Sequence, residues 1–158
     1  MTDRTGLNIE IPGRGELLLR HLVLDFNGTL ACDGRLIRGV AGRLKKLRKI
    51  LAIEVLTADT FGTASRALRR TGIPCTVIAN GRDKARRVRT LGASSVVAIG
   101  NGRNDLEMFR AAALSICVLG AEGAFSQAVT TASLVAPSIH AALDLLLNPG
   151  RLTAGLRS

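Results

Sequence analysis

Short apolar runs alternate along this chain with stretches where apolar side chains recur at helical spacing. The run Leu22-Val23-Leu24 and those at 52–57, 95–99 and 114–118 suit strands covered on both faces. Shorter runs at 75–78 and 133–136 read the same way. Between them, Val40, Leu44, Leu47 and Leu51 fall at i, i+4, i+7 and i+11, the core stripe of a helix that starts near residue 39. Further helices are expected over 60–71 (closed by Gly72), 82–91 (Ala85, Val88 and Leu91 inward), 105–113, 122–131 and 138–147. Ahead of this alternation, 7–11 and 16–24 flank Pro12-Gly13-Arg14-Gly15 and read as a hairpin. Residues 32–35 form a short flap, and 148–158 read as a polar tail. Strands alternating with helices predict an α/β fold: a parallel sheet with helices on both faces.

The 158 residues make one domain, with 1–21 as the hairpin, 22–147 as the core and 148–158 as the tail. With no Trp or Tyr, the core is built from Leu, Val, Ile and Ala. The net charge of +10 favours anionic partners. Nucleic acid is not expected among them, because stacking aromatics are nearly absent and no RNA-binding or helix-turn-helix signature occurs. Cys32, Cys75 and Cys117 are scattered and odd in number, which suits a reducing cytoplasm better than a disulfide framework or a zinc knuckle. The N-terminal segment lacks a signal-peptide core, and the apolar run 111–121 is too short to span a bilayer. No membrane association is expected.

Candidate chemistry gathers where strands end. The first strand runs into Asp25, then Asn27-Gly28-Thr29. A carboxylate there stands where open α/β sheets bind ligands, and Gly28 allows a tight turn close to an anion. It also suits an ordinary strand-to-turn transition. Thr57-Ala58-Asp59 closes the next strand; its hydroxyl suits either a phosphoryl oxygen or a helix N-cap. Lys84 opens a helix after Asn80-Gly81-Arg82-Asp83, fit to neutralise phosphoryl charge or simply to face solvent. Gly100-Asn101-Gly102-Arg103-Asn104-Asp105 is a glycine loop whose oxygens suit a hard cation. Asn27 and Asn101 each precede glycine, the pairing most open to deamidation.

Together, the order of nucleophile, hydroxyl, lysine and acidic loop resembles the haloacid dehalogenase (HAD) superfamily of phosphotransferases over about residues 20–147. Thr57-Ala58-Asp59 and the 100–105 loop look most like the phosphorylation domain of P-type ATPases, of which small soluble relatives exist; the chain has no room for transport machinery. The resemblance implies a three-layer Rossmannoid sheet. It implies a Mg²⁺-dependent phosphatase or phosphotransferase working through an aspartyl-phosphate on Asp25. Catalytic roles fall on Asp25, Asn27, Thr57 and Lys84, phosphate binding on Gly28, Thr57, Ala58 and Lys84, and metal binding on Asp25, Asn27, Asn101 and Asp105. Two positions depart from the pattern. Asn27 stands where most phosphatases of the superfamily have an acid–base Asp, and Asn101 where the metal loop usually opens with Asp. Slow turnover is expected, with a non-catalytic phosphate-binding or regulatory module as the alternative. Neither gap between motifs, 29–56 or 58–83, has room for a cap domain. The open site is therefore expected to be closed by a phosphorylated macromolecule or by a second copy in a homo-oligomer.

Overall fold

In the computed structural model, which describes residues 5–59 and 62–158, six parallel strands form the central sheet. β3 (His21–Leu24) pairs with β6 (Ala52–Thr57) on one side and β8 (Val96–Gly100) on the other. Beyond β6 lies β7 (Cys75–Val77); beyond β8 lie β9 (Leu114–Val118) and β10 (Leu134–Ala136). The strand order reverses around β3, so the carboxyl end of β3 lies at the crevice where such sheets bind ligands.

The pleat explains why Leu22, Val23 and Leu24 of β3 are all apolar and buried. Leu22 and Leu24 point to a layer that holds α1 (Val40–Leu47), α2 (Thr63–Leu68) and α6 (Ile139–Leu147). Val23 points to the other layer, with α3 (Gly81–Thr90), α4 (Leu106–Ala111) and α5 (Ser126–Thr131). Leu44 and Leu47 of α1 pack with Leu143 and Leu146 of α6 in the first layer; Val88, Met108 and Phe109 fill the second. Buried Cys117 is one more small apolar residue of the second layer. The three-layer α/β architecture is as the sequence predicts.

Two expectations change. Residues 16–24 are two strands, not one. β1 (Leu7–Ile11) and β2 (Gly15–Leu19) form a separate antiparallel hairpin, and the chain changes sheets at Arg20. Arg20 has one backbone bond to each side: its N–H donates to Ser95, and its carbonyl accepts from Ala52. A change of partner leaves no mark on an unbroken apolar run. The segment 148–158 is not a polar tail either. It forms α7 (Pro149–Leu156), opened by a proline whose missing N–H costs nothing in the first turn. Leu152 is fully buried, Leu156 packs beside it, and the Thr153 hydroxyl donates to the Glu10 carbonyl at 3.2 Å. α7 thereby covers the inner face of the hairpin, where Leu7, Ile9 and Ile11 are buried.

Other helices are shorter than their apolar pattern suggests. Within 60–71, α2 is followed by a 3₁₀ turn, Arg69–Thr71, while residues 60–61 lie outside the described set. The 105–113 helix begins as a 3₁₀ turn over Arg103–Asp105. The flap is a small ribbon, β4 (Ala31–Cys32) and β5 (Arg35–Leu36), turned by Asp33 and Gly34, both with positive φ. It rests beside the start of α2, where a Cβ on Gly34 would touch Thr63 at 3.4 Å. From Thr29 to Ala52 the chain builds only this ribbon and α1; the described residues from Ala58 to Asp83 build only α2, its 3₁₀ turn, β7 and the start of α3.

Candidate active site

Asp25 follows β3 directly, and its N–H donates to the Ile99 carbonyl at 3.0 Å, tying it to β8. Asp25 as a whole is 6% exposed. From α3, Lys84 reaches across and donates to Asp25 Oδ1 at 2.6 Å and to Asp105 Oδ1 at 2.7 Å. Lys84 and Asp105 are fully buried. The ammonium is drawn in by helical periodicity: Lys84 shares a helix face with Val88 and Leu91.

Burying two carboxylates with one ammonium leaves an excess negative charge. Asp25 and Lys84 respond in the same sense. Burial and the neighbouring Asp105 push the Asp25 carboxyl up to about 6, against the opposing pull of Lys84. Burial alone would lower the pKa of Lys84, but Asp25 and Asp105 outweigh it and hold the ammonium above its usual range. Lys84 is therefore firmly charged, and the site as a whole favours one more positive charge.

The 100–105 loop is built around Asp105. Asp105 Oδ2 accepts the backbone N–H groups of Asn101 at 3.0 Å and Gly102 at 2.9 Å. A side chain on Gly100 would collide with that carboxylate, and one on Gly81 would meet the Asn104 carbonyl at 2.7 Å. Glycine at both positions lets the loop and the first turn of α3 close on each other. Asp105 therefore positions Lys84 and the loop, and most of its lone pairs are already taken.

Thr29 is the residue that motif reading missed. It is buried, and its hydroxyl lies 3.2 Å from Asp25 Oδ2 and 3.3 Å from Asn101 Oδ1. One proton serves only one acceptor at a time, so one of these oxygens is always open. The sequence signal was its spacing of four from Asp25, directly after the Asn-Gly turn. Asn101 is fixed in turn by donating Nδ2 to the Gly123 carbonyl at 3.0 Å. Gly28 has φ of 76°, and any Cβ there would clash with the Asn101 amide.

Asp25, Gly28, Thr29, Lys84, Asn101 and Asp105 thus form one cluster. Thr57 is buried at the end of the adjoining strand β6, where its Oγ1 accepts the Asp59 N–H at 3.1 Å. It is not the N-cap of α2, whose first residue is Thr63. Ala58 follows it on the surface, and Asn27 is exposed at the rim. The glycine nitrogens that deamidation would use are engaged: Gly28 N–H donates to Ala31 at 2.9 Å, and Gly102 N–H to Asp105. The fold therefore protects both Asn-Gly pairs. Among the described residues, no three His, Cys, Asp or Glu side chains gather to hold a metal. The oxygens that remain, Asp25 Oδ2, Asn101 Oδ1 and the turn carbonyls, make a hard, carboxylate-poor donor set. That set and the excess negative charge suit Mg²⁺, which keeps several waters. No helix of the described residues is long and apolar enough to cross a membrane.

An uncharacterized protein of Methanocaldococcus jannaschii is 48% identical over 62 residues, covering 39% of this chain and 67% of that one. Solved structures share the fold, among them two phosphatases. The cobalt-bound deoxy-D-mannose-octulosonate 8-phosphate phosphatase of Haemophilus influenzae has a TM-score of 0.70 at 15% identity, covering 86% of this chain and 91% of that one. The corresponding Moraxella catarrhalis phosphatase, solved with magnesium, phosphate and its sugar acid, has a TM-score of 0.65 at 17% identity, covering 82% and 86%. The profile of haloacid dehalogenase-like hydrolases matches residues 43–138, a span that holds Thr57, Lys84, Asn101 and Asp105. With most of its length so matched, the chain belongs to the haloacid dehalogenase-like hydrolases.

Proposed function

We propose that this protein is a slow, Mg²⁺-dependent phosphatase or phosphotransferase that works through an aspartyl-phosphate on Asp25. The observation that carries the reading is the buried Asp25–Lys84–Asp105 bridge at the end of β3. Such a bridge aims a carboxylate outward and keeps a positive charge beside it. In the first step an oxygen of the Asp25 carboxylate attacks phosphorus, the bond to the leaving oxygen breaks, and that oxygen takes a proton from water. In the second, water attacks phosphorus and gives a proton to the solvent, replacing the one taken in the first step; Asp25 leaves as carboxylate, and inorganic phosphate departs.

Lys84 would balance charge on the phosphoryl oxygens. Thr57 Oγ1 already accepts from Asp59 and still has its own proton to donate to one of them. The Gly28 and Ala58 backbone would line the same space. Mg²⁺ would be held by Asp25 Oδ2, the Asn27 carbonyl and Asn101 Oδ1, with Asp105 bracing the loop behind them; when bound, it offsets the excess negative charge of the site. Asn27 is the brake. An amide cannot give and take back a proton, and the loss of such a group costs on the order of 10²–10⁴-fold. The same amide supports the second reading, a phosphate-binding or regulatory module that turns over little or nothing. A screen of phosphorylated metabolites with Mg²⁺, blanked by Asp25→Asn, separates the two. Hydrolysis of any of them above the blank supports an enzyme; saturable phosphate binding with no release supports the module.

The two amides give separable results. Asn27→Asp should raise turnover by about 10-fold or more, because a carboxyl at this rim can relay the proton. Unchanged turnover in folded protein would show that proton transfer is not limiting. Asn101→Asp should lower the Mg²⁺ concentration for half-saturation, since it adds a charged oxygen. It should also lower metal-free stability by about 1–3 kcal/mol, because the new oxygen faces the Gly123 carbonyl with no proton between. Thermal melts with and without Mg²⁺ read both effects.

A homo-oligomer is part of the same proposal. The hairpin's inner face is spent on α7, but β2 pairs only with β1 among the described strands and leaves Leu18 38% exposed. Such an edge suits pairing with a second copy. Light scattering at micromolar concentration should give a multiple of 16.6 kDa; the monomer mass would contradict it.

A further inference from the structure

Next to the catalytic cluster lies an open groove of about 490 Å³, lined by Asn80, Gly81, Arg82, Arg103, Asn104 and Glu107. Its two walls are the segments that deliver the buried machinery. Arg82 comes two residues before Lys84, and Arg103 two before Asp105. The close approach of Gly81 to the Asn104 carbonyl holds the walls together. Neither guanidinium has a carboxylate partner among the described residues, although Glu107 shares the groove. Arg103 instead lies over the Phe125 ring, 6.0 Å from its centroid. That contact limits where the side chain goes without using any of its five N–H donors.

Two guanidiniums and one carboxylate leave the groove net positive, with donors suited to a planar or tetrahedral anion. The phosphoryl group itself is already provided for by Lys84 and Thr57. A second anion-binding surface beside it is therefore surplus to hydrolysis of a simple monoester. We propose that Arg82 and Arg103 recognise a second anionic group, a carboxylate or another phosphate, on the leaving group of the substrate. The substrate class is then a phosphomonoester with at least one further negative charge. This inference rests on the phosphatase reading of the site.

Glycerol 3-phosphate and 3-phosphoglycerate test it, because they differ by a carboxylate in place of a hydroxymethyl group. For each, kcat/KM is measured with Mg²⁺, and Kd is measured by calorimetry. The wild-type protein should favour 3-phosphoglycerate by about 10-fold or more, the scale of one charged hydrogen-bonded contact. The preference should fall to near parity in the Arg82→Gln/Arg103→Gln double variant and rise in Glu107→Gln. A Lys46→Gln/Lys49→Gln variant loses the same charge from α1 and the turn that follows it, in the opposite layer, and should keep the wild-type preference. Equal affinity of wild-type protein for the two ligands would overturn the proposal. So would a preference that the lysine variant erases as fully as the arginine one, since general attraction would then account for it. The Kd comparison decides even if neither compound is turned over, in which case the phosphatase reading fails separately from the groove.

Discussion

Asp25→Asn is expected to cut phosphate release by at least about 10³-fold while leaving the fold intact, because it removes the attacking oxygen and little else. The amide oxygen can still accept from Lys84, while its NH2 can donate to the Thr29 hydroxyl, whose own proton then serves Asn101 Oδ1, so the bridge survives. The variant should in fact be the more stable protein in the absence of metal. Asp25 binds its proton more tightly in the folded state, at about 6, than at its ordinary 3.8. Its contribution is therefore most favourable below the ordinary value and is lost as pH rises through about 6. The melting temperature of Asp25→Asn minus that of wild type should grow across this window and level off above it. Initial rates with an aryl phosphate, and melts at several pH values without Mg²⁺, read both effects. A variant that keeps a few per cent of the wild-type rate (about 10⁻² or more) would remove Asp25 from the mechanism.

Lys84→Met should be the most damaging single change in the molecule. It leaves Asp25 and Asp105 facing each other in a buried site with no counter-charge. Breaking a buried pair from one side costs about 3–5 kcal/mol. Denaturant unfolding should show a loss of this size, with activity falling below that of any folded surface variant. Adding Asp25→Asn to Lys84→Met should restore part of the lost stability by removing one of the opposed charges. A loss below about 1 kcal/mol would place Lys84 outside the role given to it. The same would follow if the second substitution only added to the damage.

The site was legible where local pattern and chemistry coincide. An apolar run ending in Asp25 marks a strand end, and a glycine loop ending in Asp105 marks a helix start. Lys84 was legible by the order of motifs; its place on one helix face with Val88 and Leu91 was a second signal, passed over because a lone lysine also suits solvent. Thr29 escaped because it acts through a turn that folds its hydroxyl back over Asp25, a contact of geometry and not of period. The role of Asp105 escaped for a related reason: a carboxylate beside a glycine loop reads as a cation ligand, and only the fold shows its oxygens holding backbone N–H groups and a lysine. Arg20 and α7 were illegible in another way. Arg20 lies where a strand changes partners within one apolar run. The helix at the C-terminal end carries only Leu152 and Leu156 as anchors, too few to declare a core face until β1 is there to receive them.

The central claim is a covalent bond between phosphorus and the Asp25 carboxylate. The direct measurement is to mix protein with Mg²⁺ and a phosphoryl donor, quench in acid, reduce with borohydride and map the peptides by mass spectrometry. An acyl phosphate is reduced to the alcohol, so the account predicts homoserine at position 25, present only with donor and absent from Asp25→Asn. Release of phosphate by wild-type protein with position 25 unmodified throughout turnover, under conditions where Asn27→Asp is the faster enzyme, would contradict it.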